Sequence, residues 1–203
     1  MGVSTIFDRT LALASTKYGD IFVLGCFCVL FGVHCLRGTS LNEAARRISF
    51  WLWASIWCVG TYVIACHIAD VLTPRPTPLA SLQLHDVQQM YGVKLRTSAA
   101  HSFPSGHALA YMTFTLASLG RFARMSLILG LLGTVMLSVR LILGLHWLSD
   151  IVLGSLPLTL VILALAAQPL WGKIRNWFET LINRVLIALA NGGFPILSGK
   201  SLD

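Results

Sequence analysis

Long apolar segments with almost no charge restrict what this chain can fold into. Hydrophobic residues make up 56% of its 203 residues and charged residues only 11%, whereas soluble domains carry about 25% charged residues. A membrane-spanning α-helix needs about 20 mostly apolar residues. We therefore predict an all-α integral membrane helical bundle with about five transmembrane helices, at residues 21–36, 48–72, 107–119, 125–145 and 147–170.

Three further segments complete the predicted organisation. Phe7 and Leu11 repeat at helical spacing, which predicts an interfacial amphipathic helix over residues 1–20. Residues 171–190 place Trp177, Phe178 and Leu181 on one face and charges on the other, which predicts an amphipathic tail. Residues 73–104 form the one long polar connection, and we predict an outer active-site loop there. We predict that residues 1–203 form a single membrane domain.

The formal net charge of +7 indicates orientation in a membrane rather than binding of nucleic acid. The basic residues lie in short connections, without a basic and aromatic stripe on a soluble face. The basic residues of the first connection, of the third connection and of the segment after the fifth span fall on one side of the predicted bundle: Arg37, Arg46, Arg47, Arg121, Arg124, Lys173 and Arg175. The positive-inside rule makes that side cytoplasmic. We predict a multi-pass protein of the cytoplasmic (inner) membrane whose active site faces the outside, or periplasm, with membrane lipids and anionic phosphates as partners.

This topology brings five polar residues to one membrane face. Arg75 follows the second predicted span, and His107 begins the third. Arg140 lies about one turn from the outer end of the fourth span, and His146 and Asp150 begin the fifth. Ionisable groups within spans are costly and are usually functional. We therefore expect a site at this face.

The first candidate motif is Pro104-Ser105-Gly106-His107. Proline followed by serine and glycine is typical of a turn that leads into a helix. Ser105 is a suitable N-cap, the backbone N–H groups at a helix start attract anions, and Gly106 permits close approach of a ligand. A capped helix with an interfacial histidine is the alternative interpretation.

The second candidate motif is RLILGLHWLSD, residues 140–150. His146 and Asp150 are four residues apart and would share a helical face. A carboxylate bonded to one ring nitrogen fixes the tautomer and leaves the other nitrogen as a nucleophile. The planar guanidinium of Arg140 suits two phosphate oxygens. The alternative is a snorkelling arginine beside a structural His–Asp pair.

Together these segments resemble the type 2 phosphatidic acid phosphatase superfamily, which also includes vanadium haloperoxidases. Residues 104–107 match its second motif in full. Arg140, His146 and Asp150 match its third motif at the right spacing, and Arg75 with Pro76 matches the end of its first.

Two positions differ from these motifs. Val139 stands where the third motif has serine, and Ile68 stands where the first has lysine. Lys94 or Arg96 of the long loop is a candidate to replace that lysine as a phosphate-binding group, although each also fits a solvated loop charge.

The resemblance implies a role for each matched residue. His146 attacks phosphorus and becomes a phosphohistidine, Asp150 orients His146 and stabilises its positive charge, and His107 protonates the leaving oxygen. The implied phosphate-binding groups are Arg75, Ser105, Gly106 and Arg140. No metal and no cofactor is expected, because Asp150 is the only carboxylate placed among the clustered groups and magnesium sites need oxygen ligands.

A closer similarity, covering the chain from its start to the end of the fifth predicted span, is to bacterial lipid A 1-diphosphate synthases. It rests on residues 75–79, 93–103 and 144–154. It implies a lipid phosphatase or phosphotransferase acting on a lipid phosphate or diphosphate, with undecaprenyl diphosphate favoured. Ser105-Gly106 follows the general phosphatase motif, so hydrolysis is placed slightly ahead of transfer.

Other activities fit the same residues. The chain could act as a lipid A 1-phosphatase or a phosphatidylglycerol-phosphate phosphatase, since both substrates present a terminal phosphate on an apolar anchor. A vanadate-type haloperoxidase would share the pocket, but known members of that branch are larger and soluble. A non-catalytic lipid-binding membrane protein is the remaining class, and the intact His107, His146 and Asp150 argue against it.

Overall fold

The computed structural model describes residues 4–37, 40–71, 74–82, 84, 87–95 and 102–192. About 82% of these residues are helical, and none of them forms a β-strand, which confirms the predicted all-α class. The chain divides into two compact units. The first comprises Met1–Val23 and Cys58–Leu163, and the second comprises Leu24–Trp57 and Ala164–Asp203.

The described residues contain nine α-helices and one π-helix. In chain order they are α1 (Thr5–Ala14), α2 (Lys17–Leu36), α3 (Leu41–Val71), α4 (Pro78–Ser81), α5 (Val87–Tyr91), α6 (Gly106–Ser118), α7 (Ala123–Ile142), the π-helix (Asp150–Ser155), α8 (Leu156–Ala166) and α9 (Pro169–Asn191).

Three of these helices are long and apolar enough to cross a membrane: α2, residues Leu41–Ala69 of α3, and α7. A fourth candidate is the interrupted pair Asp150–Ala166 and Pro169–Asn191. The predicted third span corresponds to α6, which has 13 residues and is therefore roughly 20 Å long at 1.5 Å per residue. The hydrocarbon core is about 30 Å thick, so α6 is short for a full crossing. The number and composition of these helices identify a membrane protein.

The connection between the fourth and fifth predicted spans is longer than the sequence indicated. Helix α7 ends at Ile142, and Gly144 follows with a φ of 67°. Glycine in this left-handed conformation is a common way to end a helix. The π-helix begins only at Asp150. His146 therefore lies in a turn between helices, not at the start of the fifth helix.

The amino-terminal segment also differs from its prediction. Residues 1–20 do not form one helix, because α1 ends at Ala14 and α2 begins at Lys17. The Thr16 hydroxyl oxygen accepts a hydrogen bond from Gly19 N at 3.1 Å, which caps the start of α2. The buried residues of α1 join one core cluster with the segments around Arg140 and His146: Leu11, Ala12, Leu95, Val139, Leu143 and Leu145.

The second unit is held together by the start of α3 and by α9. Leu41, Ala44 and Ala45 form a core cluster with Leu186, and Ile182 packs against it. Helix α9 thus packs against α3 residues of the same unit through Leu186 and Ile182, whereas Trp177 and Leu181 of the predicted apolar face are exposed.

Candidate active site

Asp150 forms the centre of the first group of polar side chains. Its carboxylate is fully buried and accepts hydrogen bonds from Arg75 Nη1 at 2.8 Å and from Trp147 N at 2.7 Å. Arg75 Nη1 also lies 2.9 Å from Ser149 Oγ, and its guanidinium carbon lies 5.3 Å from the centre of the Trp147 ring. The structure therefore brings Arg75 and Asp150 together and holds the arginine against an aromatic face.

His146 is oriented by a backbone carbonyl. Its Nδ1 lies 2.8 Å from Ser102 O, whereas Asp150 Oδ2 is 3.7 Å from the same nitrogen. A carbonyl can only accept, so Nδ1 carries the proton and the lone pair lies on Nε2. The expectation that Asp150 fixes the tautomer through a direct hydrogen bond is therefore corrected: Ser102 O makes that bond, and Asp150 stands close enough to stabilise a positive charge on the ring.

The backbone around Arg75 and Pro76 positions both His146 and Trp147. Ser102 N donates to Arg75 O at 2.9 Å. This bond holds Ser102 in place, and the Ser102 carbonyl is the one that contacts His146 Nδ1. Trp147 Nε1 donates to Pro76 O at 2.9 Å. The Arg75-Pro76 segment thus supplies a guanidinium to Asp150 and two carbonyl oxygens that hold the segments around the catalytic candidates.

The pKa of His146 is lowered from its ordinary value of 6.5, chiefly because burial disfavours the charged ring. Arg140 and His107 lower it further, while the Ser102 carbonyl and Asp150 act in the opposite direction. Because the pKa falls below neutrality, the ring stays unprotonated at neutral pH and can act as a nucleophile.

This lowered pKa leads to a prediction that a titration can check. The ring of His146 should gain its proton only as the pH falls below 6.5. Turnover that depends on the unprotonated ring should therefore persist at pH 6.5 and decline at lower pH. NMR of histidine-labelled protein in detergent, with the His146 signal assigned from a His146→Gln variant, measures this directly. A midpoint above 6.5 would contradict the burial of this ring.

The second group consists of His107, Arg140 and Asp20. Arg140 Nη2 lies 2.7 Å from His107 Nε2 and 2.8 Å from Asp20 Oδ1. The same Asp20 oxygen lies 3.2 Å from His107 Nε2. The Arg140 side chain is 2% exposed, so its charge is balanced inside the protein. All three residues lie in the terminal turns of their helices.

Ser105 and Gly106 begin α6. The Ser105 side chain is fully buried and caps the helix by accepting from Ala108 N at 3.4 Å. A Cβ atom at position 106 would lie 2.8 Å from the Tyr62 ring, so glycine is needed there for packing. Both residues lie beside His107, as predicted from the motif. The cap by Ser105 was predicted as well, whereas the packing of Gly106 against Tyr62 was not.

One hydroxyl links the two groups. Ser155 Oγ, in the π-helix, lies 3.0 Å from Ser105 O and 3.0 Å from Asp150 O. The start of α6, which carries His107, is thereby attached to the turn of the π-helix that carries Asp150. Both groups belong to the first unit, and the charges of His107 and Arg140 act on the pKa of His146.

Of the two candidate phosphate-binding cations in the long loop, Lys94 and Arg96, the structure describes only Lys94. Lys94 lines a cavity of about 1050 Å³ together with Lys17, and no described contact joins it to the catalytic candidates. Arg96 lies outside the described residues. The walls of the cavity are largely apolar and include Leu13, Ile21, Phe22, Val93 and Leu95.

Within the described ranges, no three side chains of histidine, cysteine, aspartate or glutamate stand in an arrangement suited to a metal ion. The ionisable groups described in this site are the imidazoles of His107 and His146, the guanidinium groups of Arg75 and Arg140, and the carboxylates of Asp20 and Asp150.

Sequence reasoning missed Asp20, Ser102 and Ser149. Asp20 could have been noticed as an acidic residue at the start of an apolar segment, because such residues are usually paired. Ser102 acts through its backbone and Ser149 through one hydroxyl contact, and neither carries a sequence signal.

Comparison with known proteins identifies one family. The model of the PAP2 superfamily matches residues 51–174, a range that includes every predicted site residue. No curated protein and no solved structure matches the chain.

Proposed function

Since the chain belongs to the PAP2 superfamily, whose members are phosphatases or phosphotransferases, we propose that it removes or transfers the phosphoryl group of a lipid phosphate through a phosphohistidine at His146. The observation that carries the proposal is the 2.8 Å contact between His146 Nδ1 and Ser102 O. This contact leaves the lone pair on Nε2, in a ring that lies close enough to His107 and Arg140 for their charges to act on its pKa.

In the proposed first step, His146 Nε2 attacks phosphorus. The new P–N bond forms as the bond from phosphorus to the leaving oxygen breaks, and His107 transfers its proton to that oxygen. The imidazole then carries a positive charge, and the Asp150 carboxylate 3.7 Å from Nδ1 stabilises it.

In the second step, water or an acceptor phosphate attacks the phosphohistidine. His107 takes the proton of the attacking group, the P–N bond breaks, and His146 returns to its neutral form. His107 thus serves as acid and then as base, as microscopic reversibility requires.

Arg75 and Arg140 are the proposed phosphate-binding cations. Phosphoryl transfer depends mainly on positioning and on stabilising charge on the equatorial oxygens. Each guanidinium carries five N–H donors, and the described contacts to Asp150, Ser149, Asp20 and His107 use one nitrogen of each. Each cation is therefore held in place by a carboxylate, and Ser105 and Gly106 contribute at the start of α6.

A lipid is the proposed substrate class because the site adjoins apolar helices. The apolar cavity beside α1 and the start of α2 suits part of a lipid chain, and its two lysines suit anionic oxygens. We favour undecaprenyl diphosphate as substrate and hydrolysis over transfer, with lipid A 1-phosphate or phosphatidylglycerol phosphate as the alternatives. The positive-inside pattern supports an active site on the outer face of the cytoplasmic membrane.

A phosphate-release screen tests the proposal. The purified protein is incubated in detergent with undecaprenyl diphosphate, lipid A 1-phosphate, phosphatidylglycerol phosphate or phosphatidic acid, each with and without lipid A as acceptor. Release of phosphate by the wild type, but not by His146→Ala, supports hydrolysis. Gain of phosphate by lipid A supports transfer. Neither product from any of the four lipids would contradict the proposed function.

The cavity lysines lead to a further expected result. If Lys17 and Lys94 bind the second phosphate of a diphosphate, the Lys17→Ala/Lys94→Ala variant should raise KM for undecaprenyl diphosphate about tenfold, which corresponds to one weakened charged contact. KM for undecaprenyl monophosphate should not change. The matched control is Lys173→Ala/Arg184→Ala, which removes two exposed cations from α9. Equal effects on the two substrates would exclude this role.

A further inference from the structure

Asp20 has a position in the candidate active site that no motif assigns. Its Oδ1 contacts both Arg140 Nη2, at 2.8 Å, and His107 Nε2, at 3.2 Å. The Asp20 side chain is 13% exposed and the Arg140 side chain is 2% exposed, so solvent screens this pair only weakly. The contacts span 120 residues to Arg140 and 87 residues to His107.

The turn between α1 and α2 places Asp20 at this point. Gly19 lets α2 start directly after α1, because a Cβ atom there would lie 2.5 Å from Ala14 O. Ser15 N donates to Ala12 O at 3.1 Å, which closes the end of α1. Ala12 is fully buried in the core cluster that also contains Val139, next to Arg140.

The contact has a consequence for the protonation of His107. Arg140 Nη2 can only donate, so His107 Nε2 accepts in their 2.7 Å contact, and the Arg140 cation opposes a positive charge on the ring. The Asp20 carboxylate at 3.2 Å favours that charge. Further titratable groups near His107 include His146, which acts electrostatically with it, and Tyr111, one turn further along α6.

We propose that Asp20 is a positioning residue that offsets the charge of Arg140 and thereby lets His107 hold the proton it must give to the leaving oxygen. This inference rests on the proposed role of His107 as the acid. Without Asp20, less negative charge would offset the Arg140 cation beside Nε2, and the ring would lose its proton at a lower pH. The acid would then be missing at neutral pH, while the nucleophile His146 would remain.

The test compares Asp20→Asn with the wild type. The amide oxygen can still accept from Arg140, so the variant removes the charge and keeps the contact. With a lipid phosphate we expect kcat near neutral pH to fall about 10- to 100-fold. We expect the alkaline limb of the kcat profile to move to lower pH by about one unit or more. With p-nitrophenyl phosphate, whose leaving group needs no proton, kcat should change little. Asp20→Glu should restore the alkaline limb.

Asp8→Asn is the matched control, because Asp8 is a buried carboxylate of the preceding helix. Any effect it has on folding should lower the yield of active protein without moving the pH profile. A folded Asp20→Asn variant with the wild-type alkaline limb, or with equal losses on both substrates, would overturn the inference.

A second measurement on the wild type does not depend on the folding of a variant. In the ring NMR titration, His107 should keep its proton to a higher pH than His146. The reverse order would also overturn the inference. Failure of this inference can be told apart from failure of the proposed function, because in the second case the wild type itself would release no phosphate from any lipid.

Discussion

Replacing His146 by alanine should reduce turnover of every phosphate substrate by roughly 10⁴-fold or more, as removal of a covalent nucleophile does in other enzymes. The Ser102 carbonyl holds Nδ1 of His146 and leaves the lone pair on Nε2 for attack, whereas Nε2 of His107 is engaged by Arg140. Substrate affinity should change much less, because Arg75 and Arg140 remain. Phosphate release under saturating and subsaturating substrate separates kcat from KM.

The control for this variant is His67→Ala, which removes an exposed histidine of the same unit. It should keep wild-type turnover and elute at the same position in size-exclusion chromatography. Turnover by His146→Ala within tenfold of the wild type would exclude His146 as the nucleophile.

Replacing His107 by alanine should lower kcat by about 10²- to 10⁴-fold with a lipid phosphate, the usual contribution of a general acid. The loss should be much smaller with p-nitrophenyl phosphate, because nitrophenolate leaves without a proton. Comparing the two substrates therefore separates loss of the acid from general damage to the site. A large and equal loss on both substrates would show that His107 has another function, such as holding Arg140.

Each of the two predicted motifs places its polar residues within a short stretch of chain, and the structure brings residues of both motifs together. The capped helix start at Ser105, with His107 in the first turn, was predicted from local turn and capping preferences, and the structure contains it. Arg140, His146 and Asp150 were grouped by spacing, and the structure brings them into one unit with Arg75 and His107. Their catalytic roles stay predictions until turnover is measured.

The contact between His146 and Asp150 was not predicted correctly. A spacing of four residues implies a shared helical face only if both residues lie in one helix. Gly144 ends the preceding helix region, and His146 lies in the following turn, so the side chains are not stacked along a helix. The Ser102 carbonyl, 44 residues away in the chain, makes the hydrogen bond instead.

Asp20 could not be predicted from spacing, because its partners lie in helices far along the chain. Its position depends on the turn at residues 15–19 and on the packing of α1 against residues near Arg140. The sequence shows only that an acidic residue stands at the start of an apolar helix. Its contacts with Arg140 and His107 depend on tertiary packing, which a local sequence pattern does not predict.

The central claim is that a phosphoryl group passes through His146. It is tested most directly by mixing the protein with ³²P-labelled lipid phosphate, quenching within one turnover and mapping the label by mass spectrometry under alkaline conditions that preserve phosphohistidine. The account predicts one phosphorylated residue, His146, linked through Nε2, and no label in His146→Ala. Turnover with no phosphoenzyme at any quench time, or with the label on another residue, would contradict it.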